Sequence, residues 1–266
     1  TLEYYTIGKS IGIYPSGVNT DGTKSGYANN LESDFIGIFG ATYQNAKQMK
    51  FQLWNQYVDR MFNTSMVQAD YQLALKNSSF CKVSIQSIFQ SAVNEGGNSN
   101  KAKTYIDKGA KSFTYGARLA YGKSNFETSL NYNRITTLGR YLMPREWGRE
   151  PFFTFMPRER NEGLGDVHAF VLRGNYNIAR WRLKTNLALG YYKLPDVLNV
   201  KFNKYGMPSY GQINLDVRYE FNRFFKGLET QLLIAHKVNA SNQQKPKALF
   251  NKVDMTNYNL IVNYHF

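Results

Sequence analysis

Apolar residues in this chain recur at every second position over stretches of about ten residues, and that period constrains the fold more than any other feature. From Gln212 to Phe221, Ile213, Leu215, Val217, Tyr219 and Phe221 share one parity, while Gln212, Asn214, Asp216, Arg218 and Glu220 share the other. Successive side chains of a β-strand point to opposite faces, so such a segment has one apolar and one polar side. Trp181–Leu189 and Thr256–Phe266 repeat the pattern. The chain is 42% hydrophobic, yet its mean hydropathy is −0.48 and it contains no run of about 18 apolar residues. Transmembrane helices are thereby excluded, and strands become the carriers of the apolar surface.

The same reading along all 266 residues predicts one all-β domain, 1–266, of about twelve strands. Their approximate limits are 2–14, 34–46, 48–59, 64–76, 80–93, 111–122, 125–136, 167–179, 180–193, 210–222, 227–240 and 255–266. The first two have the weakest pattern, since Phe35–Phe39 alternates poorly. Long connections (15–33, 94–110, 137–166, 194–209, 241–254) alternate with short ones (45–47, 76–79, 122–125, 177–180, 222–226), with 60–63 the one short link where a long one is expected. Short turns on one side and long loops on the other are the asymmetry of an outer-membrane barrel, and aromatics at 15% suit its two interfacial girdles. The expectation is an up-and-down antiparallel transmembrane β-barrel. Such a destination implies a presequence, cleaved or lying upstream of Thr1.

If the apolar faces meet lipid, the polar faces line a lumen. The net charge is +14, and the basic residues with polar parity are Lys50, Lys82, Arg118, Arg173, Arg182, Lys184 and Arg218. A charge at mid-depth on the lipid face would cost about 2–4 kcal/mol, which supports the inward assignment. Arg134 is in phase with Leu130 and Tyr132 and is expected above the membrane or after a bulge. Acids of inward parity are Asp70, Glu127, Asp216, Glu220 and Glu229. Each inward arginine can therefore either pair with an acid across the sheet or contact a solute. Several guanidiniums in series suit the passage of anions, because each keeps its charge and offers a planar fork to a carboxylate. Nucleic-acid binding, the other reading of a basic chain, has no accompanying motif.

The 137–166 loop is too long, too apolar and too rich in proline to be a solvated surface loop. Folded inward, it would narrow the pore with Arg145, Arg149, Arg158 and Arg160 at the constriction. The alternative is a rigid external cap whose arginines pair with Glu146, Glu150, Glu159 and Glu162. Residues 144–178, PREWGREPFFTFMPRERNEGLGDVHAFVLRGNYNI, resemble the OprD family of substrate-selective outer-membrane porins. The resemblance implies a barrel of about 18 strands, an arginine ladder, a constriction loop and uptake of small carboxylate-bearing solutes. It points to Arg145, Arg149 and Arg173 as carried-over candidates. About twelve strands fit here, and an 18-stranded barrel would need roughly 150 more residues. The chain is then expected to be the C-terminal two-thirds of such a protein, a 12-stranded barrel being the alternative. Phe266, closing an aromatic alternating strand, resembles the signal read by the outer-membrane assembly machinery.

No catalytic pattern is present. His168, His236 and His265 lack metal-ligand spacing, and no nucleophile elbow or P-loop occurs. His236 has apolar parity near a rim, where a membrane-facing hydrolase would need a serine partner, and none is evident. The single cysteine, Cys81, rules out an internal disulfide and reads as a small apolar residue. The expected partners are outer-membrane lipid, small anionic or zwitterionic solutes, and in some settings further copies or a larger outer-membrane complex. No cofactor and no nucleic acid are expected. The rival function is a structural or docking barrel with a blocked pore.

Overall fold

The structure, a computed structural model, describes residues 2–8, 19, 23–45, 48–144, 149–243 and 253–265. Strands β1 (Leu2–Gly8), β2 (Phe35–Asn45), β3 (Met49–Val58), β4 (Phe62–Ala74), β5 (Ser79–Ala92) and β6 (Lys111–Lys123) are followed by β7 (Phe126–Ile135), β8 (Val167–Ile178), β9 (Leu183–Lys193), β10 (Tyr210–Glu220), β11 (Leu228–Asn239) and β12 (Met255–Tyr264). Every strand pairs antiparallel with its sequence neighbours, giving one twelve-stranded up-and-down sheet. Among the described residues no ladder joins β1 to β12, so the sheet is open.

Alternation sorts the two faces. One exposes a belt that includes Ile85, Leu119, Leu130, Leu172, Ile213 and Leu260; Leu130 is 60% exposed and Leu260 75%. A patch of that extent suits lipid rather than water. The opposite face carries the polar parity. Its core is supplied by the long loops, which fold back over it. One cluster joins Tyr141, Phe152, Met156 and Leu164 of the 136–166 loop to Val167, Ala169 and Val171 of β8 and to Tyr192 and Tyr210. A second joins Tyr105, Ile106 and Leu142 to Ile36, Val58 and Phe62. Ile36 explains the poor alternation at the start of β2: its inward position is apolar because loops cover it.

The loop sorting is seen directly, with short connections at one edge and long ones at the other, and 59–61 the one short link at the long-loop edge. Tight turns draw on left-handed residues, including the consecutive Asn77 (φ 57°) and Ser78 (φ 55°) between β4 and β5. Two strand limits change. Alternation carried the ninth strand back to 180, whereas Ala179–Trp181 forms a 3-10 turn closed by Arg182 at φ 53°, and β9 starts at Leu183. A left-handed residue cannot continue a strand's two-residue period, so parity fails there. Of the 2–14 strand the described part is Leu2–Gly8, and 9–14 lie outside the described residues. Arg134 needs no bulge: β7 runs in unbroken register, Arg134 opposite both Tyr115 and His168. It stands one residue from the strand end at the long-loop rim.

Candidate functional site: the loop-covered inner face

The described residues 136–144 and 149–166 lie over the polar face of the sheet between β5 and β12, tied largely through their backbone to side chains of inward parity. On β5, Gln86 Nε2 donates to the Pro151 carbonyl (3.0 Å), and Gln90 and Leu142 exchange two bonds (2.8 and 3.0 Å). On β7, Asn133 Oδ1 accepts from the Thr154 N–H (3.1 Å); on β9, Tyr192 OH donates to the Thr154 carbonyl (2.8 Å). Arg173 on β8 donates from Nη2 to the Phe155 carbonyl. On β10, Gln212 and Asn214 both donate to the Pro157 carbonyl (2.7 and 2.8 Å), and Arg158 donates to Asn259 Oδ1 of β12 (2.9 Å). An irregular segment laid on a sheet face must satisfy its carbonyls somehow, and this face supplies amide and hydroxyl donors at matching positions.

The loop is braced from above by a buried ionic knot. Glu162, 2% exposed, accepts from Tyr205 OH (2.6 Å) and from Arg160 Nη2 (3.1 Å). The Arg160 guanidinium also lies 3.9 Å from the Tyr205 ring centroid. Burial pushes the Glu162 carboxyl up, but Lys204, Arg160 and the bonds from Tyr205 and Arg160 outweigh it and hold it below the usual carboxylate range. Burial, followed by Glu162, keeps the Tyr205 phenol well above its ordinary value. Lys204 reaches across to Tyr27 OH (3.2 Å), connecting the 194–209 loop to the 23–34 segment.

The sequence-predicted basic residues fall into separate groups. Lys50 sits opposite Asp70, and Lys82 Nζ lies 3.9 Å from the Asp70 carboxylate, which also accepts from Ser84 and Gln68. Arg118 pairs with Glu127. Arg118 and Arg149 both lie within electrostatic reach of Arg173, and Arg149 stacks 5.1 Å from the Phe155 ring centroid. Lower on the same face, Lys184 pairs with Glu220 and Arg218 with Asp216 (3.3 Å). Lys184, Asp216 and Arg218 line a cavity of about 530 Å³ together with Glu127, Asn175 and Asn186. Arg149 and Arg158 are exposed. Glu229 accepts from Asn263 (3.4 Å).

Three expectations are corrected or fall elsewhere. Arg182 is on the exposed turn between β8 and β9, not on the inner wall, because the turn consumes residues 179–182. Arg160 does not face open space: its head is taken up by Glu162 and the Tyr205 ring. Arg145 and Phe266 lie outside the described residues. Two inward features were missed. Lys237 on β11 is 4% exposed with its ammonium 4.9 Å from the Tyr210 ring centroid; its shared parity with Glu229 and Gln231 was an available signal. The loop seat at Val167, Ala169 and Val171 was not, since apolar residues of inward parity resemble lipid-facing ones. His236 bonds Thr256 (2.8 Å) across β11 and β12. Among the described residues no cluster of His, Cys, Asp or Glu is arranged to hold a metal.

A single up-and-down antiparallel sheet with an apolar outer belt and loops folded over its polar face is the architecture of an outer-membrane barrel wall. Solved structures of that class share it. The Pseudomonas aeruginosa outer membrane protein OprD matches with a TM-score of 0.69 at 14% identity, over 99% of this chain and 64% of that one. P. aeruginosa OccK8 (OprE) matches with 0.69 at 14%, over 98% and 61%, and P. aeruginosa OccK5 (OpdH) with 0.65 at 16%, over 88% and 58%. These identities establish the fold: the chain folds as OprD-type porins do, and it spans 58–64% of the length of these three barrels. No family model and no curated protein matches the sequence.

Proposed function

We propose that the chain forms the greater part of the wall and the constriction of an outer-membrane porin that passes small polar or carboxylate-bearing solutes by diffusion. The observation that carries this reading is the seating of the 149–158 segment across the inner face by at least six strand side chains. A loop held this way narrows a lumen without closing it and presents Arg149 and Arg158 to the passage. Arg118 and Arg173 stand beside Arg149, and the Lys184–Glu220 and Arg218–Asp216 pairs follow towards the short-turn end. Successive cations along a path give a carboxylate successive sites, and the acids that share Arg118, Lys184 and Arg218 keep those sites weak enough to leave.

Planar-bilayer recording on the full-length protein tests the proposal. Ion current with a preference for anions, weakened in Arg149→Ala and Arg118→Ala, is the expected result. A protein that inserts yet carries no current would instead make the chain a structural or docking barrel of the outer membrane.

A further inference from the structure

The outer face of β7, β8 and β9 carries three rows of directly opposed residues, stacked from the long-loop rim downwards. The first is basic: Arg134 opposite His168 opposite Lys193. Two residues further into the belt comes an aromatic row, Tyr132–Phe170–Tyr191, and two further an aliphatic one, Leu130–Leu172–Leu189. Outward positions on a strand are about 7 Å apart, so the three rows span about one lipid headgroup, its glycerol level and the upper acyl carbons. On the flanking strands the outward rim positions hold Lys111, Phe113 and Tyr115 of β6 and Gly211 and Ile213 of β10, so the basic row extends to Lys111 on one side and stops at β10 on the other.

The row is built rather than incidental. Arg134 donates to the carbonyls of Ile135 (2.8 Å) and Val167 (3.2 Å) and pairs with Asp166, which fixes its guanidinium at the rim. Tyr132 OH and His168 Nδ1 are 3.0 Å apart, which leaves Nε2 as the ring nitrogen not engaged by Tyr132. Lys193 is exposed. Directly below lies an apolar groove of about 730 Å³, floored where Ala117 offers only a methyl group and walled by Leu119, Leu130, Phe170 and Tyr191.

We propose that this sector binds one phosphate-bearing lipid of the outer leaflet, its phosphate on Lys193 and His168 with Arg134 behind, and one acyl chain in the groove beneath Tyr132 and Phe170. Phosphate is the matching chemistry because the site gathers cationic donors at headgroup depth, and a chain-length apolar groove continuous with them excludes a free anion as the whole ligand. The inference rests on the reading of this face as lipid-exposed. It is independent of what the pore passes.

The test is quantitative phosphorus and mass-spectrometric lipid analysis of the full-length protein after exhaustive washing in mild detergent. Wild type is expected to retain a phospholipid or phosphorylated glycolipid in defined stoichiometry. H168Q/K193Q should retain about fivefold less, in line with about fivefold for the one lysine charge removed at a membrane surface. A117F, which fills the groove while leaving the cations, should also release lipid, and bilayer current should be unchanged in both. Retention that is equal in all three proteins would overturn the proposal, as would phosphate retained by A117F with no acyl chain. Lipid retained by a protein that carries no current would sink the porin reading and leave this one standing.

Discussion

Arg173 Nη2 on the inner face of β8 donates to the backbone carbonyl of Phe155, so an arginine on the sheet acts as a tether for the loop that covers it. A hydrogen bond from a charged donor contributes about 1.5–3 kcal/mol, and no other side chain bonds that carbonyl among the described residues. Arg173→Met keeps the stem and removes the donor. The expected result is a looser segment: higher single-channel conductance with more open-channel noise, weaker anion preference and faster proteolysis within 149–158, without loss of the folded barrel. Conductance unchanged in amplitude and noise would show that the remaining bonds alone set the loop.

The knot around Glu162 makes loop stability depend on acid. Its carboxyl is held below the usual range when folded and returns to about 4.3 when unfolded. A depressed folded value contributes stability that is complete at neutral pH, begins to fade near the unfolded value and is lost as pH falls through the folded one. Glu162→Gln should therefore lower the thermal midpoint at pH 7 and flatten its decline below about pH 4.5. Arg160→Ala is expected to be harsher, in the range of about 3–5 kcal/mol, because it removes one partner from a buried charge. Differential scanning calorimetry between pH 3 and 8 measures both, and parallel midpoint curves for wild type and Glu162→Gln would reject the assignment.

The strands were legible because each strand face meets one medium and carries one parity. Val217 and Ile213 could be placed outside, and Asp216 and Asn214 inside, from a period of two alone. The loop's docking was not legible in the same way. Val171 and Ala188 have inward parity but are apolar, since what they meet is Met156, Tyr141 and Phe152 rather than water. A local pattern cannot report a partner that lies many residues away in the chain. Arg182 failed for a different reason: its left-handed backbone ends the period one residue before the strand begins. Arg160 was recognisable as a charge, but its capture by Glu162 and Tyr205 depends on a second loop, 194–209, whose position sequence spacing does not carry.

Asp70 sits between two inward lysines, opposite Lys50 and 3.9 Å from Lys82. It therefore cancels much of the positive field on this part of the wall. Asp70→Asn preserves the shape and a hydrogen-bonding role toward Ser84 and Gln68 while releasing both ammonium groups. Reversal potentials in a salt gradient should shift towards greater anion selectivity, and Lys82→Ala should shift them back. The effect should shrink as ionic strength rises and the Debye length falls below about 8 Å. A shift that persists in molar salt would point to altered pore shape instead.

Gly227 ends the β10–β11 turn at φ 93°, and a Cβ there would stand 2.2 Å from the His265 carbonyl oxygen. Its own carbonyl accepts from the His265 N–H (2.8 Å), so turn and final strand are fitted backbone to backbone. Gly109 offers the control: its φ is 73°, but a Cβ would meet nothing within 4 Å. Gly109→Ala therefore incurs only the left-handed penalty, about 1–2 kcal/mol. Gly227→Ala incurs that penalty and must also push β12 away from the turn. The expected outcome is a marked drop in heat-modifiable, folded barrel on semi-native electrophoresis for Gly227→Ala and near wild-type yield for Gly109→Ala. Equal yields would mean that the end of β12 can shift freely, and that the backbone contact at His265 does not hold the last strand in place.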